Sequence, residues 1–245
     1  MATAPAADQQ RLLTVQDADT RAHQAQHRRA TLPVIARIEE LQSRALDFDD
    51  ERIARGTEVT DLKREVAKAE DDVEAVRARA KRDQERLDSG QSSAKDLQAL
   101  QSELEVLVKR QADLEDVELE VMERLDQAEK AQASAAAQHQ AITEQIAQLQ
   151  GERAAAEAEI DAELATIASE RAAAVDGLDA DLLALYEKIR AQHGGVGAAA
   201  LTGTTCEGCH MPLNPVDVAR FTAAPPDQVV RCEECGRILV RKGAA

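Results

Sequence analysis

The chain has 245 residues, a formal net charge of −16 and 1% aromatic residues, with no Trp and a single Tyr. So few large apolar groups exclude an ordinary globular core over most of this length; the Ala-, Glu-, Arg-, Leu- and Gln-rich remainder suits long helices that pack along a seam. The acidic excess lies wholly in residues 1–195, because the five Lys/Arg and five Asp/Glu beyond them cancel, and such a body repels phosphate backbones and disfavours wrapping of nucleic acid.

The opening stretch, MATAPAADQQRLLTV, has neither the basic nor the apolar region of a secretory signal, and no run approaches the roughly 18 apolar residues of a membrane helix. A cytoplasmic location is the expectation. Residues 8–30 predict a short helix. From Thr31 to Leu87 apolar residues recur in alternating three- and four-residue steps, including Val34, Ile38, Leu41, Val59, Leu62, Val66, Ala69 and Val73. That is a coiled-coil seam of about eight heptads and predicts a helix over 31–88. Arg52 and Arg55 fall on the seam, where buried guanidiniums would need Glu129 and Asp126 from the facing helix.

The pattern stops at LDSGQSSAKD, residues 87–96. Gly90 marks a turn, and Ser93 with Asp96 three residues on is a capping box. A second seam, with Leu97, Leu100, Leu104, Leu107, Val121, Leu125, Ile142 and Ile146, predicts a helix over 94–192, in which His139 is a tolerated polar seam residue. Two seams joined by a short turn predict an antiparallel hairpin. With Leu87 opposite Leu97, facing residue numbers sum to about 184. Pro33 then faces Gly151, the weakest helix former in its stretch, which predicts a bend at that level with residues 8–30 lying against roughly 154–176. Gly194, Gly195 and Gly197 end the helical region and predict a hinge. The expected fold is mainly α: a long kinked antiparallel coiled-coil hairpin over residues 1–193, followed by a small separate domain over 194–245.

All four cysteines, Cys206, Cys209, Cys232 and Cys235, lie in residues 194–245 as two C-x-x-C pairs. Cys206-Glu-Gly-Cys209-His210 read alone matches a c-type haem attachment site, but that reading leaves Cys232 and Cys235 idle. A thioredoxin-like dithiol needs a βαβ setting that the tail is too short to build. Disulfides do not suit a reducing compartment. Two pairs, each clamping a metal from a tight turn, make a tetrahedral four-thiolate site, and soft thiolates suit Zn²⁺. A rubredoxin-type iron centre uses the same ligands, and spacing does not separate the two. One structural zinc is expected, with His210 a turn residue beside it and Gly236 a left-handed turn position. Residues 227–232 and 237–242 read as a hairpin flanking the second pair, which makes residues 194–245 a C4-type zinc ribbon.

The segments SSAKDLQALQSELEVL (92–107), CEGCHMPL (206–213) and CEECGRILV (232–240) resemble a bacterial family of coiled-coil proteins with a C-terminal C4-type zinc ribbon, labelled nucleic-acid-binding zinc-ribbon proteins. The resemblance covers nearly the whole chain. It implies an adaptor and not an enzyme, with links to flagellar biogenesis, type III secretion, an alternative sigma factor and RNA, and it carries zinc ligation onto Cys206, Cys209, Cys232 and Cys235. The family's basic stretch between cysteine pairs is reduced here to Arg220 and Arg231, and Val240 stands where the ribbon strand commonly ends in Tyr.

The leading expectation is therefore a non-enzymatic adaptor that binds a protein partner through the hairpin and the ribbon. The alternative is an RNA- or DNA-binding regulator acting through a small patch of Arg220, Arg231, Arg237, Arg241 and Lys242. A third is a structural oligomer in which exposed seam residues pair between chains. No grouping of acid, base and nucleophile, and no phosphate-cradling loop, points to catalysis.

Overall fold

The computed structural model describes residues 2–91 and 93–241. Four helices come first: α1 (Ala6–Ala30), α2 (Pro33–Asp88), α3 (Ala94–Val175) and α4 (Ala180–Gln192). They are followed by β1 (Ala198–Thr202), β2 (Thr205–Cys206), α5 (Pro215–Ala223), β3 (Val230–Arg231) and β4 (Ile238–Arg241). The chain divides into two compact units, one of Ala36–Gln150 and one made of Met1–Ile35 together with Gly151–Ala245. No described helix is long and apolar enough to cross a membrane.

Pro33 is the first residue of α2, where a missing N–H is no loss and a fixed φ favours the helix. It therefore starts a helix after the break at Thr31, whose hydroxyl and amide both donate to the His27 carbonyl. Gly151 sits inside α3, which runs through it unbroken.

In the Ala36–Gln150 unit, α2 and α3 pair antiparallel around a seam that buries Ile38, Leu41, Val59, Leu62, Ala69 and Val73 against Leu100, Leu107, Val121, Ala128, Ala135 and Ile142. The turn between them carries Gly90 in the left-handed region, φ 65°, and Ser92 of the turn motif lies outside the described residues. Ser93 and Asp96 form the expected cap: the Asp96 amide donates to Ser93 Oγ, which meets the Asp96 carboxylate at 2.6 Å. The register differs from expectation. Gly56 lies against Gln132, Asp49 against His139 and Glu65 against Arg124, so facing numbers sum near 188, one helical turn beyond 184. A slide of one turn returns the same stripe to the seam, which is why the buried set still agrees. It does move the partners of the seam arginines. Arg52 and Arg55 are 44% and 42% exposed and pair along their own helix, Arg52 with Asp49 and Arg55 with Glu51 and Glu58. Their long stems carry the charge out to water, and the expected pairs with Glu129 and Asp126 do not form. Glu129 pairs with Lys63 and Asp126 with Lys130.

In the other unit, α1 lies along the C-terminal part of α3, with Arg28 pairing Glu163 at 2.7 Å, Arg29 pairing Asp161 at 3.0 Å and Arg21 pairing Glu170. The sequence predicts one helix to residue 192, but α3 stops at Val175. Gly177 takes φ 69°, and Asp179 caps α4 by accepting from the Leu182 amide at 2.9 Å. The first turns of α1 stitch this break. Arg11 donates to the carbonyls of Ala174 and Asp176, and Asp8 accepts from the Asp179 amide, so groups orphaned at a helix end and a helix start find partners.

The four strands form one sheet in the order β2-β1-β4-β3, with β1 and β4 parallel and the other two pairings antiparallel. One face packs on the helices: Leu12, Val15, Leu182, Tyr186 and Ile189 share a core with Ala198, Val229, Ile238 and Val240. The glycine stretch before β1 is consequently no hinge. The Gln16 side chain accepts from the amides of Gly197 and Ala198 and donates to the Gly195 carbonyl. Arg237 donates to the carbonyls of His193 and Val196. A Cβ on Gly197 would sit 2.7 Å from the Tyr186 carbonyl oxygen. Beside Gln16, buried Asp19 gathers Tyr186 Oη at 2.7 Å, Arg171 at 2.7 Å and Arg190 at 3.3 Å. Burial, with the hydrogen bond to Asp19, pushes the Tyr186 phenol well above its ordinary pKa.

Candidate metal centre

Two turns of the same construction carry the cysteines. In the first, Cys206 ends β2 and the His210 amide donates back to the Cys206 carbonyl at 2.8 Å; in the second, the Gly236 amide donates to the Cys232 carbonyl at 2.8 Å. The residue after each second cysteine must adopt positive φ for this closure. Gly236 does so freely at φ 72°, whereas His210, at φ 58°, is the one non-glycine residue with positive φ among those described. His210 is thus a turn residue and not part of the ligand cluster. The amides of Gly208 and Cys209 point at the Cys206 sulfur, those of Glu234 and Cys235 at the Cys232 sulfur, and that of Arg237 at the Cys235 sulfur. Aimed N–H groups of this kind stabilise thiolates and orient them on a metal.

The four Sγ atoms lie within 4.8 Å of one another. Cys206 to Cys235 is 4.0 Å and Cys209 to Cys232 is 3.9 Å, about twice a disulfide bond length. Tetrahedral zinc with Zn–S near 2.3 Å sets sulfurs roughly 3.8 Å apart, so the donor set and its spacing fit one Zn²⁺. Cys206 and Cys232 are buried, and Cys209 and Cys235 half-buried. Burial pushes the Cys206 thiol up and the Cys232 thiol up to about 12. For Cys235 burial acts the same way but is outweighed by the Arg237 amide and side chain and by the neighbouring thiols, leaving it at about 7. Thiolate ligation displaces these protons, so metal binding releases protons and weakens as pH falls. Four thiolates close the tetrahedron, leaving no position for a substrate water, so the zinc is structural. Around it pack Ala199, Leu201, Leu213, Phe221, Val230 and Leu239.

The segment between the knuckles folds as α5, which the sequence reading missed. Its signal is local: Asn214 accepts from the Val216 amide and Pro215 takes the first helical position. Near its end Arg241 donates to the Phe221 carbonyl, and in the following segment to those of Ala224, Pro225, Pro226 and Gln228.

The candidate basic patch is therefore placed residue by residue. Arg241 clasps α5 and its following loop, Arg237 holds the strand entry, and Arg231 donates to the Gly236 carbonyl at 2.7 Å. Arg220 pairs with Glu233 at 2.6 Å and Asp217 at 3.0 Å and lies over the Phe221 ring. Lys242 lies outside the described residues. The structure brings the four cysteines together, and it gives each of the four described arginines a partner within the chain.

Comparison with known proteins bears on the whole chain. Residues 15–194 match the CT398-like coiled coil hairpin domain and residues 205–239 the C4-type zinc ribbon domain. The chain is 37% identical to the uncharacterized protein Rv2229c of Mycobacterium tuberculosis over 235 residues, covering 96% of each chain. A solved structure from Mycobacterium smegmatis superposes with a TM-score of 0.86 at 36% identity, covering 98% of this chain and 100% of that one. CT398 from Chlamydia trachomatis shares the fold alone, with a TM-score of 0.68 at 18% identity over 96% of this chain and 98% of its own. A two-helix seam, a capped tip and a closed four-thiolate knuckle pair are thus accounted for together: the chain belongs to the family of CT398-like coiled-coil hairpin proteins that carry a C4-type zinc ribbon.

Proposed function

We propose that the protein is a non-enzymatic adaptor in which the hairpin of residues 1–193 and the ribbon of residues 194–245 present surfaces to a protein partner. The observation that carries this reading is the closed metal centre. A zinc ion with all four positions filled by buried or half-buried cysteines has no place for a reacting group, and its ribbon is packed onto helices through a shared core. That construction fixes the shape of a surface. The nucleic-acid alternative is less supported, because Arg237 and Arg241 are half-buried and spent on backbone carbonyls, and exposed Arg220 is paired with Glu233 and Asp217.

The test is affinity purification of the full-length protein from its native cells, comparing wild type with Cys232→Ser. A partner retained by wild type and lost with Cys232→Ser assigns binding to the ribbon side; one retained by both assigns it to the hairpin. Membership of that partner in transcription or secretion machinery, which the family resemblance implies, is read from its identity. Recovery of no stoichiometric partner overturns the adaptor reading. Binding of RNA or DNA that falls steeply as salt rises would install the alternative.

A further inference from the structure

Three exposed apolar side chains on α3, Val108, Leu119 and Met122, are 65%, 58% and 46% exposed and belong to no core. Their spacing of 11 and then 3 residues places them on one helix face, because 11 residues are close to three whole turns. The face spans about 21 Å at 1.5 Å per residue. It lies beside the seam and not in it: Val121 and Leu125, the seam residues of this stretch, pack with Val59, Leu62, Val66 and Ala128. The surrounding charge is mostly acidic. Residues 105–130 hold nine Asp/Glu and four Lys/Arg; Glu115, Glu123 and Asp126 sit at helical spacings that bracket the apolar three, Glu115 pairing with Arg77 and Asp126 with Lys130.

Apolar side chains ringed by carboxylates select their occupant by charge. A second copy laid on the same face would oppose acid to acid, and a nucleic acid or an anionic lipid surface is repelled for the same reason. We propose that this face of α3 is the docking site for a cationic amphipathic helix of a protein partner, some four turns long. Its apolar stripe covers Val108, Leu119 and Met122, and its Lys/Arg flanks meet the surrounding carboxylates. The proposal rests on the adaptor reading and names the chemistry of its partner.

The probe is a fluorescein-labelled 18-residue helical peptide with a Leu stripe and Lys/Arg flanks, titrated into full-length zinc-loaded protein and followed by anisotropy. Leu119→Gln with Met122→Gln leaves the charge unaltered and should weaken binding about tenfold or more, since two apolar contacts are lost. Leu46→Gln with Ile53→Gln, which alters exposed apolar residues on α2, should leave affinity unchanged. Glu123→Lys with Asp126→Lys should weaken binding and flatten its salt dependence. Far-ultraviolet dichroism checks that the variants keep their helices. Equal affinity of wild type and the Leu119/Met122 variant, or no measurable binding, overturns the proposal. The two readings fail separately: a partner recovered from cells whose retention ignores Leu119 and Met122 sinks this site and leaves the adaptor standing.

Discussion

The two compact units solve the same problem, too little apolar surface, in opposite ways. The hairpin of Ala36–Gln150 spreads its core thinly: α2 buries seven of its 56 residues, with surface ion pairs such as Arg77–Glu115 between. Each level is supported only by its neighbours. The other unit concentrates its means. A sheet, a four-thiolate site, a shared apolar core and the Gln16–Asp19 polar network all meet within it. Loss of one level in the first is local, whereas loss of one tie in the second strains the rest.

The sharpest way to break this contrast is to remove the metal. Structural zinc in a small domain contributes on the order of 10 kcal/mol, so a strong chelator, or Cys232→Ser, should unravel the ribbon and spare the hairpin. Tyr186, the chain's single Tyr, reports on the shared core: its near-ultraviolet dichroism should collapse while most far-ultraviolet helical signal persists. Simultaneous loss of both would show the units to be one. Next in size is Leu62→Ala, which empties a seam position that is 5% exposed and should cost about 3 kcal/mol. Faster amide exchange should appear around residues 55–70 and 118–135 with the Tyr186 signal unmoved; a change at Tyr186 would contradict the local character of the hairpin. Asp19→Asn strips the charge from a buried group facing two half-exposed arginines and the Tyr186 hydroxyl. It should cost about 2 kcal/mol by denaturant midpoint, less than for a fully buried pair because water screens both arginines. The smallest effect has the opposite sign. His210→Gly relieves left-handed strain at the first knuckle and should stabilise the ribbon by about 0.5 kcal/mol, the balance of that strain against glycine's greater unfolded freedom. A destabilised variant would mean that the imidazole does more than turn the chain.

What the sequence shows and what it hides divides along the same line. The seam, the Ser93 cap and the cysteine pairs are carried by residues close in sequence, and their spacing alone announces them. The Asp176-Gly177-Leu178-Asp179 break and the Asn214-Pro215 helix start were also local, but each was masked by a longer pattern around it. Strand β1 is a different case. Ala198, Ala199 and Ala200 have little strand preference, and they are extended because β4 pairs alongside, with Ala198 packed in the helix-side core and Ala199 in the core around the cysteines. The same holds for Gln16 and Arg237, whose partners lie 181 and 41 residues away, and whose roles no window of sequence contains. The arginines read as a patch were legible as charges; their carbonyl partners were not.

The zinc-bearing unit is assembled from sequence that is far apart, with the Ala4 amide bonded to the Asp227 carbonyl and the Val229 amide to the Ala2 carbonyl. This sets an order on biosynthesis. While the ribosome works through the intervening stretch, the hairpin already has everything it needs and can zip from its tip. Residues 2–4 must wait for Asp227 and Val229 to be made, a delay of roughly 10 to 45 s at ordinary translation rates. Through most of that interval Leu12 and Val15 lack the sheet side of their core, and the second pair of cysteines does not yet exist to share a metal with the first. Four-thiolate metal capture then waits on Cys232 and Cys235, the last of the ligands to be made.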